Sequence, residues 1–258
     1  MGHEVAARLL LDNWRATTRV AELPGAIRPK NRAEGYGIAA AIATLCGQAV
    51  SGWKIAATST AGQRHINVDG PLAGLIFADR LCDAGARVPL GDNIMRVAEA
   101  EFAFRFGKPL SPRDTPYDGA ETMAAVTSLH LSIEVPDSRF TDFTKVGAAQ
   151  LIADTACASW LVLGPAVTAD WRAVDLAKQP VTGMLNGKAV VRGTGEAVLG
   201  DPRFALTWLV NEVATHCGGI SAGQLVTTGT CIVPIAIATG DRLLMDFGAL
   251  GTIEAAIV

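Results

Sequence analysis

The stretch AEAEFAFRF, residues 98–106, alternates polar and apolar positions as a half-buried β-strand does. Ala100, Phe102, Phe104 and Phe106 share one face, which belongs in a core, and Glu99, Glu101, Ala103 and Arg105 share the other. Side chains two apart on one face lie roughly 7 Å from each other, so two carboxylates there repel unless a cation or a shared proton intervenes. Downstream, LHLSIEV (129–135) alternates likewise, with Leu129, Leu131, Ile133 and Val135 on one side and His130, Ser132 and Glu134 on the other. Glu134 is then a third carboxylate on a strand. Three carboxylates with no Cys pair or His pair nearby suit a hard, six-coordinate ion such as Mg²⁺ or Mn²⁺ rather than zinc. The same spacing admits an exposed strand whose acids face water, and alternation alone leaves both readings open.

Outward from this stretch, the chain reads as helices framing a β-rich body. Residues 3–20 place Val5, Leu9 and Val20 near one helical stripe, with Leu10 and Trp14 beside it. A second helix is expected over 31–49, with Asn31 as N-cap and Glu34 three residues on. A short strand that turns Trp53 and Ile55 inward leaves Lys54 on its opposite face, where a strand lysine is ordinarily solvated. Ser59 can cap a short helix reaching Ile66, and the proline-rich run 107–119 is loop. Thr115 and Pro116 then form an N-cap and N1 pair for a helix through Met123 toward His130. Between two β-type runs, Asn186-Gly187 signals a type I′ hairpin over 181–192. A helix from Pro202 to about His216 is capped by Asp201 and stopped by Gly218-Gly219, and a last hairpin turns near Gly248 to Gly251. Without regular β-α-β alternation, the class is α+β with a mixed, curled sheet. Residues 1–50 form a helical N-terminal portion and 51–258 the body.

Composition narrows the function classes. Apolar runs are short, such as Cys231 to Ala238, interrupted by Pro234, against about 18 residues for a membrane span. The first residues, MGHEVAARLLLDNWRA, lack the basic and long apolar regions of a signal peptide, and Ala6 occupies the place a myristoylation signal gives to Ser or Thr. Five cysteines without a C-x-x-C spacing oppose a disulfide framework and fit a reducing cytoplasm. A net charge of −3 without basic clusters gives no footprint for nucleic acid. GISAG (219–223) matches a nucleophile elbow in letters only, since a helix precedes Ser221 and no histidine follows it. GTGEAVLG (193–200) lacks the third glycine of a dinucleotide fingerprint. His65, His130 and His216 do not fall at metal-ligand spacing and read as helix-end or surface residues, although His130 shares a strand face with Glu134.

Five blocks in order, GWKIAATS (52–59), VDGPLAG (68–74), EAEFAF (99–104), IEVPDSR (133–139) and LGDP (199–202), resemble the 2-keto-4-pentenoate hydratase family of the fumarylacetoacetate hydrolase superfamily. The resemblance implies a mixed β-roll with a helical N-terminal portion, assembled as a homo-oligomer. It implies that Glu99, Glu101 and Glu134 bind Mg²⁺ or Mn²⁺ and that Lys54 projects into the same pocket. Thr58 and Ser59 would offer donors to a substrate carboxylate, and Thr228-Gly229 resembles a late element that lines the pocket.

The activity implied is addition of water to a 2-hydroxy-2,4-dienoate, giving a 4-hydroxy-2-oxoalkanoate in aromatic-compound catabolism. Lys54 would shuttle a proton or steady an oxyanion. One departure bears on this: hydratases of the family generally carry an acid in a P-D-x-G block, where this chain reads Pro71-Leu72-Ala73-Gly74. The related 4-oxalocrotonate decarboxylases tend to be apolar there. Hydration then lacks its expected base unless Asp69 substitutes. The family's Asp-Asn pair is Asp154-Thr155 here, with Cys157 in the place of a serine. The runner-up is a metal-dependent decarboxylase of a 2-oxo-3-enedioate, followed by a C–C bond hydrolase and a non-catalytic 2-oxo-acid binder.

Overall fold

The computed structural model describes residues 2–258. Helix α1 (Gly2–Ala16) buries Ala6, Ala7, Leu10 and Leu11 rather than the expected stripe. Val5 is exposed, and Thr17 turns left-handed at φ 54°, which ends the helix and frees Val20 to bridge Phe140. Helix α2 (Arg32–Cys46) starts where Asn31 accepts from the Glu34 N–H and stops at left-handed Gly47, three residues before the expected end. Strand β1 (Val50–Ala56), the Ser59-capped α3 (Thr60–His65), β2 (Leu72–Phe77), β3 (Leu81–Asp83) and β4 (Arg87–Val88) lead to the glutamate strand, β5 (Val97–Phe106).

The next helix departs from expectation. It is α4 (Gly119–Ala125), capped by Asp118 in a capping box with Glu121 rather than by Thr115. Strand β6 (Val126–Val135) follows at once, so residues 126–130 are strand, not helix. The β-branched pair Val126-Thr127 favours a pleated surface over a helix. Then come α5 (Ala148–Ala153), β7 (Trp160–Ala166), and the hairpin of β8 (Pro180–Leu185) and β9 (Lys188–Thr194). Asn186 (φ 52°) and Gly187 (φ 80°) make its turn as the sequence predicts. Helix α6 (Pro202–His216) is capped by Asp201, and β10 (Leu225–Thr230), β11 (Ile235–Ala236), β12 (Arg242–Asp246) and β13 (Thr252–Ile257) complete the chain.

The strands form two sheets. The larger runs β2-β1-β10-β5-β6-β7-β3, with β11 also on β5, and curls; the smaller runs β4-β13-β12-β8-β9. Parallel pairs (β1 with β10, β3 with β7) sit among antiparallel ones, so the sheet is mixed as expected. Phe102, Phe104 and Phe106 are fully buried in the main core, where Phe102 meets Phe247 edge-on at 5.1 Å. Burying each such ring is worth about 1.5–3 kcal/mol. This packing forces the alternate residues of β5, the glutamates, onto the other face of the sheet. No helix among the described residues is long and apolar enough to cross a membrane.

Candidate active site

Antiparallel pairing of β5 with β6 sets Glu99 opposite Glu134 and Glu101 opposite Ser132. Like charges directly opposite are unfavourable in a sheet, yet the three carboxylates converge, each offering an oxygen within 4.8 Å of the others. Glu101 and Glu134 are buried, and Glu99 is half-buried at the edge of a cavity. Lys54 arrives from β1, two strands away through β10, and is buried, not solvated. Its Nζ lies 3.2 Å from Glu134 Oε1 and donates to the Ala156 carbonyl at 3.1 Å. The Gly229 N–H donates to Glu101 Oε2 at 3.1 Å. Glycine is required there: φ is 97°, and a Cβ would stand 2.3 Å from Thr58 Oγ1.

The electrostatics are unbalanced. Burial, then repulsion from Glu134, pushes the Glu99 carboxyl up to about 7. Burial raises Glu101 and Glu134 as well, Glu101 further because both other carboxylates face it. Burial alone would lower Lys54, but Glu134, Glu99 and Glu101 together hold its ammonium above the ordinary lysine range. One ammonium cannot satisfy three carboxylates. Among the described residues, the buried oxygens Glu101 Oε1 and Glu134 Oε2 have no hydrogen-bond partner. Orphaned oxygens of this kind in an all-carboxylate donor set are what a hard divalent cation would satisfy, so these residues fit a metal.

The cavity beside them has a volume of about 500 Å³, within the range of small-molecule sites. Its wall is largely apolar, including Ile55, Ile66, Met95, Phe143, Leu151 and Ile232. Thr58, Ser59 and the fully buried Leu72 line it, and Ser59 Oγ is engaged by the Gly62 N–H as a helix cap. Thr228 does not line it: its hydroxyl donates to the Phe102 carbonyl within the sheet, and the neighbouring Thr230 reaches the cavity instead. Asp69 is not brought to the site. Its side chain is 89% exposed, lies 3.7 Å from Arg32, and does not line the cavity. The water-activating role anticipated for it has no support in this geometry, because a group must reach the proton it moves.

Three of the four histidines have partners outside the carboxylate cluster. His130 is buried, its ring nitrogens each 2.9 Å from the Gly164 carbonyl and Ser128 Oγ, and burial holds its pKa down. His65 ends α3 at the cavity, edge-on to Phe143, and His216 stacks on Tyr36.

What sequence reading missed is the short turn that holds Lys54. Thr155 (φ 51°), Ala156 (φ 51°) and Cys157 (φ 62°) are all left-handed without a glycine among them, a conformation costing of order 1–3 kcal/mol per residue. The turn packs so tightly on β2 that a Cβ at Gly74 would fall 1.9 Å from the Thr155 carbonyl oxygen. Burial pushes the Cys157 thiol up to about 12, which keeps it neutral and a poor nucleophile.

With this geometry in view, residues 66–258 match the fumarylacetoacetate hydrolase C-terminal family. The chain belongs to the fumarylacetoacetate hydrolase family. It is 34% identical over 215 residues, 81% of this chain and 78% of the relative, to 2-keto-4-pentenoate hydratase 2 of Dechloromonas aromatica (strain RCB). It is 28% identical over 205 residues, 79% of this chain and 77% of the relative, to a 4-oxalocrotonate decarboxylase of Pseudomonas sp. In fold it resembles the 4-oxalocrotonate decarboxylase from Pseudomonas putida G7 complexed with magnesium and adipate. The TM-score is 0.89 at 24% identity, over 99% of this chain and 97% of that one. In this chain the carboxylates come from adjacent strands, β5 and β6, while the lysine comes from β1, two strands away in the sheet.

Proposed function

We propose that this chain is a divalent-metal-dependent lyase that adds water to a 2-hydroxy-2,4-dienoate to give a 4-hydroxy-2-oxoalkanoate in aromatic-compound catabolism. The observation that carries the reading is the three-glutamate cluster with two orphaned oxygens, set with a buried lysine beside an apolar cavity. Relatives named as hydratases at 30–34% identity support it. Glu99, Glu101 and Glu134 would hold Mg²⁺ or Mn²⁺, whose chemistry, when bound, is Lewis-acid stabilisation of enolate charge. Lys54 keeps its proton between Glu134 and the Ala156 carbonyl, and presents positive charge to a developing oxyanion. Thr58 offers a hydroxyl at the cavity wall, and the surrounding apolar side chains exclude bulk water from the substrate. The partner in this reading is a small 2-oxo acid, and the working form is a homo-oligomer; the exposed Val190 and Val233 are available for contact between copies.

A second reading, decarboxylation of a 2-oxo-3-enedioate, is favoured by Leu72, which puts a hydrocarbon side chain on the cavity wall where a hydratase of the family carries an acid. The test is turnover of 2-hydroxypenta-2,4-dienoate with Mg²⁺ or Mn²⁺, followed by ultraviolet loss of the diene, beside a 2-oxo-3-enedioate with detection of CO₂. Loss of the diene that disappears in Glu101→Ala supports the hydratase. Turnover of the enedioate alone makes the chain a decarboxylase, and metal binding without either reaction leaves a 2-oxo-acid binder. Leu72→Asp is expected to raise hydration by about 10-fold or more, and no gain would count against hydration at this site.

A further inference from the structure

We propose that Arg139 is a positioning residue that, braced by Trp14 of the N-terminal helix, holds residues 155–157 left-handed so that the Ala156 carbonyl fixes the Lys54 ammonium. The inference rests on the proposed function for the use of Lys54, and on geometry alone for the clamp. Residues 155–157 contain no glycine, so something other than local preference holds them left-handed. Arg139 is placed to do so. It is 2% exposed; Nε and the backbone N–H donate to the Asp154 carboxylate, Nη2 donates to the Asp154 carbonyl and to Thr155 Oγ1, and Nη1 donates to the Ala158 carbonyl at 3.0 Å. One planar fork therefore grips both ends of the turn.

Ser138 Oγ donates to the same Asp154 carboxylate at 2.8 Å, completing the anchor. Above the guanidinium, the Trp14 ring lies 4.3 Å from its carbon, within reach of a cation–π contact. Trp14 also faces Arg80, which stands 4.5 Å over Trp160. The product of the turn is the Ala156 carbonyl, an acceptor for Lys54. Without it, the ammonium would keep its ion pair with Glu134 but, among the described residues, no hydrogen-bond acceptor to set its position. A continuous set of contacts thus leads from α1 through Trp14, Arg139 and Asp154 to the turn and the lysine, joining the helical portion to the cavity.

The test compares Arg139→Met, Arg139→Lys, Thr155→Val and Trp14→Leu, each alone and in a Lys54→Met background, using 2-hydroxypenta-2,4-dienoate with Mg²⁺. Misplacing the lysine is expected to lower kcat by ~10²-fold for Arg139→Met, with KM and Mg²⁺ affinity within about twofold. Arg139→Lys keeps a charge for Asp154 but not the fork, and falls between. With Lys54→Met the same substitutions should lower residual turnover less than about twofold, because residues acting through one another are not additive. Independently of turnover, amide exchange of Cys157 and Ala158, which donate to the Asp154 and Thr155 carbonyls, should accelerate by at least about tenfold in the Arg139 and Trp14 variants. Equal losses with and without Lys54, or unchanged exchange at 157–158, overturn the proposal. Should Arg139→Met fail to fold, Thr155→Val and Trp14→Leu give the same two readouts. A wild type inactive on every substrate sinks the proposed function while the exchange measurement still decides the clamp.

Discussion

Two buried polar clusters lie on either side of the Ala156 carbonyl, and they are built in opposite ways. Around Asp154, one carboxylate meets one guanidinium, a serine hydroxyl and a backbone N–H. Around Glu101, three carboxylates share one ammonium and leave two buried oxygens without partners among the described residues. A saturated cluster fixes shape; an unsaturated one keeps affinity in reserve for something absent from the chain. The same burial that is stabilised by hydrogen bonds in the first is held at the expense of stability in the second.

That contrast can be broken most directly at Glu101. Glu101→Ala is expected to remove metal binding, seen by calorimetry, and to lower metal-dependent turnover by at least ~10³-fold, about 4 kcal/mol. Asp154→Ala strands the Arg139 guanidinium and should lower stability by about 3–5 kcal/mol, a fall in Tm of roughly 10 °C at this size. A Tm within a degree or two of wild type would put Asp154 outside the scaffold. Glu101→Gln tests the opposite sign: in metal-free protein at alkaline pH, where the raised Glu101 carboxyl is forced to ionise, removing one surplus charge is expected to raise stability by about 1–3 kcal/mol. A fall instead would mean that the charged form is already satisfied.

The smallest effect is a pH slope. Glu99 is raised to about 7 in the folded chain, above its value near 4.3 in an unfolded one. Its folded form binds the proton more tightly, so its contribution to metal-free stability is full below about pH 4.3 and is lost as pH rises through about 7. Protons and metal compete for the same oxygens. The Tm gain on adding saturating Mg²⁺ should therefore grow between pH 6 and pH 8, and a flat gain would remove Glu99 from the ligand set.

Much of this was legible in the sequence because it follows the period of a strand. Alternation put Glu99 and Glu101 on one face and Glu134 on the matching face of its neighbour, and the pairing register aligned them. Asn186-Gly187 and Asp201-Pro202 announced a turn and a helix start through local chemistry. The misread helix shows competition between equally local signals: Thr115-Pro116 and Asp118 with Glu121 each form a starting motif, and the second won because both halves of its capping box close. Asp69 stands three residues from Leu72 in sequence, yet that short span carries its side chain out to the surface beside Arg32. The cavity wall drew Met95, Phe143, Arg192 and Ile232 from segments with no common period. The left-handed turn at 155–157 had no signal at all, because tertiary hydrogen bonds, not a glycine, hold it.

Strand β1 pairs in parallel with β10, Gly52 opposite Leu225, across most of the length of the chain. Pairings this remote form slowly, since a long loop must close before any contact rewards it. The antiparallel pair β5 and β6 closes a much shorter connection, residues 107–125. The carboxylates can therefore come together early, whereas the lysine takes its seat only after residues near 225–230 are in place. Assembly thus has an order, ligands first and ammonium last, and a chain interrupted before β10 would carry the acidic cluster without the strand that docks its counter-charge.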